Sequence, residues 1–264
     1  MADKQTLDTI IAEAMPIMRA FGTGRWAVAI GGSIGKGQMD PRSDVDFRFY
    51  ADELFPFSGE SFTRNWAALE ALMARWREKG VEIDGVWPRS VSAIDVALDE
   101  WLAGKGKTDP IVWTVWGYHL PTDIYNQLII EDPYGIAQGW KQRMTPYPSA
   151  MRDGIVKEHA ASLKYWRTDY HYASKVARND VVFLSSLTAR LVHDIMEILF
   201  AINGIYYSGD GMNLTFARKF PICPENLDER VTAILYPGRG EGVLAGQYAQ
   251  LKQLIDEVLA LTEA

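Results

Sequence analysis

Apolar and polar positions along this chain follow two rhythms, and the change between them comes just past its midpoint. Residues 6–21 place Leu7, Ile10, Ile11, Ala14, Met15 and Met18 at helical spacing, with Pro16 expected to kink or break the helix. Gly22-Thr23-Gly24 ends that pattern, and the apolar run 26–30 reads as a first strand. Residues 45–50 read as a second. A helix is expected over 61–79, with Trp66, Leu69, Leu72, Met73 and Trp76 on one face and Gly80 closing it. Residues 81–87 alternate apolar with polar and read as a third strand, ended by Pro88. Helical spacing returns over 92–102 through Ile94, Ala97, Leu98 and Trp101. Residues 111–118 look strand-like, 119–127 are ambiguous, and 128–131 read as a last strand. Asp132 and Pro133 then suit the N-cap and first position of a helix.

Past the linker-like Thr145-Pro146-Tyr147-Pro148-Ser149, strand alternation stops. Helical patterns cover about 150–178, 180–203 and 241–261, with Asn203-Gly204 as a stop signal. The pattern implies an α/β or α+β domain over residues 1–146, followed by an all-helical bundle over 147–264.

Composition narrows the field. The 264 residues are 48% hydrophobic, ample for real cores, and the net charge of −7 argues against an electrostatic grip on nucleic acid. Cys223 is the single cysteine, which leaves no disulfide within one chain. The N-terminus lacks the basic and apolar blocks of a leader. The most apolar long stretch, 181–202, is interrupted by Arg190, His193, Asp194 and Glu197, so no membrane span is expected. These features point to a cytoplasmic protein.

The chemistry concentrates between residues 30 and 50. Gly31-Gly32-Ser33 follows the first strand, and Asp44-Val45-Asp46 opens the second. Side chains alternate along a strand, so Asp44 and Asp46 share a face while Val45 and Phe47 take the other. Two adjacent carboxylates repel unless a cation sits between them, and a Gly-Gly-Ser turn lets backbone approach phosphates, so the pair suggests a magnesium–nucleotide site. Gly35-Lys36 does not complete a P-loop: Gly31 is one residue too near, and Gly37 stands where Ser or Thr is needed. A dinucleotide fingerprint fails too, because Gly22-Thr23-Gly24 precedes its strand. Asp84 is the natural third carboxylate, with Glu82 on its face as an understudy. Asp95 is a rival third carboxylate, since residues 93–96 also resemble a strand, but three residues after Ser92 it reads better as a capping residue at a helix start. Lys36 could reach a phosphate or remain a solvated loop residue. His159, His171 and His193 lack paired ligands and read as structural. Trp87 or Tyr165 could stack on a base.

Gly32-Ser33, a ten-residue spacer and Asp44-Val45-Asp46 together resemble the signature of the DNA polymerase β-like nucleotidyltransferase superfamily. The stretches Trp113-Thr-Val-Trp-Gly-Tyr-His119, Ile130-Glu-Asp-Pro133 and the helix from Leu163 to Tyr172 are similar to bacterial two-domain members with a DUF4037-type helical domain. These are distant relatives of the aminoglycoside and lincosamide adenylyltransferases. The resemblance implies an α+β fold, a catalytic domain with a mixed sheet flanked by helices and then a helical bundle. It also implies transfer of AMP from ATP to a hydroxyl of an acceptor, with release of pyrophosphate, and the acidic balance favours a small or cationic acceptor over a nucleic acid. Asp44, Asp46 and Asp84 would hold two magnesium ions, with Asp84 also able to accept the hydroxyl proton. Gly32, Ser33, Lys36, Lys164 and Lys175 would contact the triphosphate. The alternatives are a protein-modifying transferase of the toxin–antitoxin kind, and a catalytically silent scaffold that binds a nucleotide or a partner.

Overall fold

A computed structural model describes residues 4–263. Residues 1–3, the start of the stretch read for a leader, lie outside the described residues. The chain divides into two compact units. The first comprises residues up to Glu100 together with Leu120–Pro146. The second comprises Trp101–His119 and the chain from Tyr147 onward. The segment 101–119 therefore belongs with the helices, where a single boundary at 146 would place it with the strands.

The first unit is built on a four-stranded mixed sheet in the order β3-β2-β1-β4. Its strands are β1 (Gly22–Ile30), β2 (Val45–Leu54), β3 (Ile83–Ser90) and β4 (Leu128–Glu131). β1 runs antiparallel to both β2 and β4, while β2 and β3 are parallel. Parallel neighbours need a long crossover, and α3 (Glu60–Glu78) supplies it. On one face, Val28 and Ile30 of β1, Val45, Phe47 and Phe49 of β2, and Ile83 of β3 are fully buried. They pack against Ile10 and Met18 of α1 (Lys4–Met18) and Leu69 and Leu72 of α3. The opposite face of β2 therefore carries Asp46, Arg48 and Tyr50.

Several elements differ from the sequence pattern for identifiable reasons. α1 runs through Pro16 but extends only to Met18 before tightening into a 3-10 turn, Arg19–Phe21, and β1 begins at Gly22. β3 continues through Pro88 to Ser90. It is an edge strand, bonded only to β2, and an edge tolerates the missing N–H. The strand-like 111–118 segment is a chain of turns with one antiparallel bridge, Asp109 to Tyr118. The ambiguous 119–127 stretch forms α5 (Leu120–Asn126), and α4 spans Val91–Leu102. The helix expected at Asp132-Pro133 begins at Ile136 as α6 (Ile136–Arg143). Asp132 still serves it, accepting the Ile136 and Gln138 N–H groups at 2.7 and 2.9 Å.

In the second unit the long 150–178 pattern breaks at Asp169, which caps α8 by accepting the His171 N–H at 2.8 Å. The helices are α7 (Ser149–Thr168), α8 (Tyr170–Ala177), α9 (Val181–Ile202), α10 (Asn213–Ala217), α11 (Leu227–Leu235) and α12 (Val243–Leu261). α9 is the core element. Its Leu191, Ile195 and Leu199 are fully buried with Leu163 of α7, Ile234 of α11 and Leu251 and Leu254 of α12. Among the described residues no helix is long and apolar enough to cross a membrane.

The alternation on β2 makes a direct prediction. Phe47→Ala should destabilise the first unit by about 3–5 kcal/mol, read as a shifted urea transition. A loss below about 1 kcal/mol would show that this face is not the core.

Candidate active site

The polar face of β2 gathers the chemistry of the first unit. Asp44 lies one residue before the strand and Asp46 is its second residue. Asp84 reaches them because of an irregularity in the β2–β3 ladder. Val45 pairs with Ile83 and Asp46 pairs with Gly85, leaving Asp84 as an extra residue. Such a bulge re-aims the side chain that it carries. Gly85 takes φ +109°, which glycine tolerates and other residues rarely adopt. One ligand atom from each of Asp44, Asp46 and Asp84 lies within 4.8 Å of the other two. Asp44 and Asp46 are half-buried, and Asp84 is exposed.

The glycine turn is moulded to this group. Gly31 N–H donates to the Asp46 carbonyl at 2.9 Å, tying the turn to the strand. Gly32 has φ +59°, and a Cβ there would collide with the Asp46 carboxylate. A Cβ on Gly31 would stand 2.8 Å from Arg48 Nη2 and from Asp123 Oδ1. The turn continues into a single helical turn, α2 (Gly32–Gly35), which contains Ser33 and ends against Lys36. The loop leading to Asp44 is pinned by Asp40, which accepts the Arg42 N–H at 2.8 Å while its own N–H donates to the Ser43 hydroxyl at 2.9 Å.

Behind the carboxylates lies a cluster that the sequence reading missed. Arg48 Nε donates to both oxygens of Asp123, at 3.0 and 3.2 Å. Arg89 Nη2 donates to Asp123 Oδ2 at 2.8 Å and to the Tyr50 hydroxyl at 2.7 Å, and that hydroxyl donates to Gln127 Oε1 at 2.8 Å. The Arg89 guanidinium also sits 4.4 Å from the Trp87 ring centre, so that ring is already engaged by a cation. Arg48 shares the strand parity of Asp44 and Asp46, a usable signal. Asp123, on α5, carries none.

Electrostatics shows what the group lacks. Burial raises Asp46 to about 6. Arg48 works against that rise, while the charges of Asp44, Asp84 and Asp123 add to it. A cation between the three acids would remove that penalty. The donors are all carboxylate oxygens, which suits a hard divalent ion such as magnesium or manganese. The residues present therefore fit the metal that the sequence implied.

Other candidates sit elsewhere. Glu82 is ion-paired with Arg77. Asp95 is not the cap of its helix. Ser90 Oγ accepts the Ala93 N–H at 3.1 Å, and Asp95 instead accepts Trp140 Nε1 at 2.8 Å and pairs with Arg143. Lys164, Lys175 and Tyr165 belong to the second unit. There Lys175 is held by Asp180 at 2.8 Å, and Lys164 and Tyr165 are exposed. His159 and His193 line a polar cavity of that unit, while His171 is bonded to Asp169.

The family described as Domain of unknown function (DUF4037) matches residues 122–210, less than half of the chain. No curated protein matches. A crystal structure of a nucleotidyltransferase-like protein from Exiguobacterium sibiricum 255-15 is similar at a TM-score of 0.46 and 9% sequence identity, over 97% of this chain and 74% of that one. A likeness of that size adds nothing to what the sheet and its carboxylates show by themselves.

Two outcomes are expected. Below about pH 6 a cation must displace a proton from Asp46, so Mn2+ affinity should fall about tenfold per pH unit and level off above that. Electron paramagnetic resonance titrations across that range measure this, and a flat profile would remove Asp46 as a ligand. Asp123→Asn should cost about 3–5 kcal/mol in urea unfolding, because it deprives two buried guanidiniums of their shared carboxylate.

Proposed function

We propose that the first unit is a magnesium-dependent nucleotidyltransferase. It would move a nucleoside monophosphate, AMP from ATP, to a hydroxyl of a small-molecule acceptor. One observation carries this reading: Asp44, Asp46 and Asp84 converge within 4.8 Å beside a glycine turn too tight for any side chain at residue 32. Three clustered carboxylates beside a tight glycine turn are what a triphosphate bound with divalent cations requires. The resemblance of Gly32-Ser33 and Asp44-Val45-Asp46 to nucleotidyltransferases supports the same conclusion, and names AMP and ATP.

In this reading the acceptor oxygen forms a bond to the α-phosphorus, the bond from that phosphorus to the bridging oxygen breaks, and pyrophosphate leaves. Magnesium held by the carboxylates would offset charge on the attacking and leaving oxygens. Asp44 and Asp46 are the ligands, fixed by β2. Asp84, exposed on its bulge, completes the group or takes the proton of the attacking hydroxyl. Gly32 and Ser33 present backbone to the triphosphate, and Lys36 closes that turn. Arg48 and Arg89, bound to Asp123, hold the floor of the site, and Arg48 favours the charged form of Asp46.

Incubation with α-labelled ATP and Mg2+ tests this directly. Label should move to a small-molecule fraction with stoichiometric pyrophosphate, and Asp44→Asn or Asp46→Asn should lower the rate on the order of 10²-fold or more. Label on protein would favour the protein-modifying alternative. Wild-type protein that releases no pyrophosphate with any acceptor pool or nucleoside triphosphate would end the enzyme reading.

A further inference from the structure

The helical unit contains a polar cavity that nucleotidyl transfer does not use. It measures about 70 Å³ and is lined by Trp101, His119, Glu158, His159, His193 and Glu197 among others. A cleft of about 600 Å³ shares Glu158, His159 and His193 with it, and is walled on its apolar side by Ile111, Val115 and Trp116.

Glu197 of α9 is the anomaly. It is 2% exposed, lines the cavity, and makes no hydrogen bond to any described residue; the nearest basic atom is His193 Nε2 at 3.9 Å. Its acidic neighbours are engaged. Asp194 accepts from His159 Nδ1 and from the Ser162 hydroxyl, both at 2.7 Å. Glu158 pairs with Lys107, and Asp210 accepts the Val115 and Trp116 N–H groups at 2.7 and 3.1 Å.

Of the groups facing Glu197, His159 alone favours its charged form, and that ring is bonded to Asp194. Burial, with His159 adding to it, depresses His119 to about 3 and His193 to about 4, so both rings are neutral. Burial lowers His159 as well, but the Asp194 hydrogen bond and nearby carboxylates outweigh it, and its Nδ1 is committed to Asp194. Arg190 lines the outer cleft. Burial therefore raises Glu197 to about 7, with Asp194 and Glu158 adding to the rise and His159 opposing it. A buried carboxyl in this condition ionises when a cation arrives.

The imidazoles and carboxylates here do not make a metal cage. Among the described residues only Asp44, Asp46 and Asp84 bring three ligand atoms within 4.8 Å. An ammonium group suits the space better. It is compact and carries three donors for the carboxylate. Trp116, stacked flat on His193 at 4.5 Å, bounds the cleft beyond.

We propose that this cavity binds the primary ammonium group of a small amine, with Glu197 as its counter-ion and the Trp116-lined cleft holding the rest of the molecule. The site lies wholly within the helical unit and does not depend on the transferase reading.

Isothermal titration with n-butylamine, using n-butanol as the uncharged control, tests it. Butylamine should bind saturably and butanol should not. Titrations in two buffers of different ionisation enthalpy should show net proton release at pH 7, as protonated Glu197 ionises on binding. Glu197→Gln should weaken binding at least about tenfold. An Asp44→Asn/Asp46→Asn double variant should bind butylamine like wild type, which separates this site from the catalytic one. Absence of saturable binding, equal binding of butanol, binding without proton release, or unchanged affinity in Glu197→Gln would each overturn the proposal. If that variant does not fold, the proton count on the wild-type protein decides.

Discussion

β2 must satisfy two opposite environments within ten residues. Its odd positions, Val45, Phe47 and Phe49, fill the core against α1 and α3, while its even positions, Asp46, Arg48 and Tyr50, carry charge and hydroxyl on the other face. A strand allows this because successive side chains point to opposite faces, and the buried face locks the register that aims the charged face. The glycine turn, the Asp84 bulge and the α5 carboxylate are all placed by reference to that strand.

Charge balance on the polar face follows from this placement. Three acids converge at one end of it, and two guanidiniums share one buried acid farther along. Neither cluster is neutral alone. Arg48 links them, since it is bonded to Asp123 and its charge stabilises ionised Asp46. Burying two cations around one carboxylate is costly without good geometry, and the contacts at 2.8–3.2 Å to Asp123 provide it. The arrangement leaves the acidic end short of positive charge, which a divalent cation would supply.

The helical unit applies the same physics to a different end. α9 is apolar enough to be the core of its bundle, yet His193, Asp194 and Glu197 interrupt one stretch of it. Asp194 is satisfied by α7 through His159 and Ser162. Glu197 is not, and a buried acid held near neutral pH is a reservoir of binding energy for a cation.

Local patterning determined much of this protein. The strand and helix rhythms, the shift to helices after residue 146, and the pairing of Gly32-Ser33 with Asp44 and Asp46 rest on spacing alone, because helix and strand periodicity act over a few residues. Asp84 was legible by parity with Glu82, although the bulge that delivers it was not. Residue-to-residue rules also misplaced Pro88 and the 111–118 segment. Whether a proline can sit in a strand depends on whether that strand is an edge, and whether an apolar run pairs depends on a partner far along the chain. The guanidinium floor was beyond reach for the same reason. Arg48, Arg89 and Asp123 are separated by up to 75 positions in the chain, and only folding puts two cations on one acid. Glu197 read as an interruption of an apolar helix; that it faces a cavity without a protein hydrogen-bond partner is decided only once the surrounding helices have closed around it.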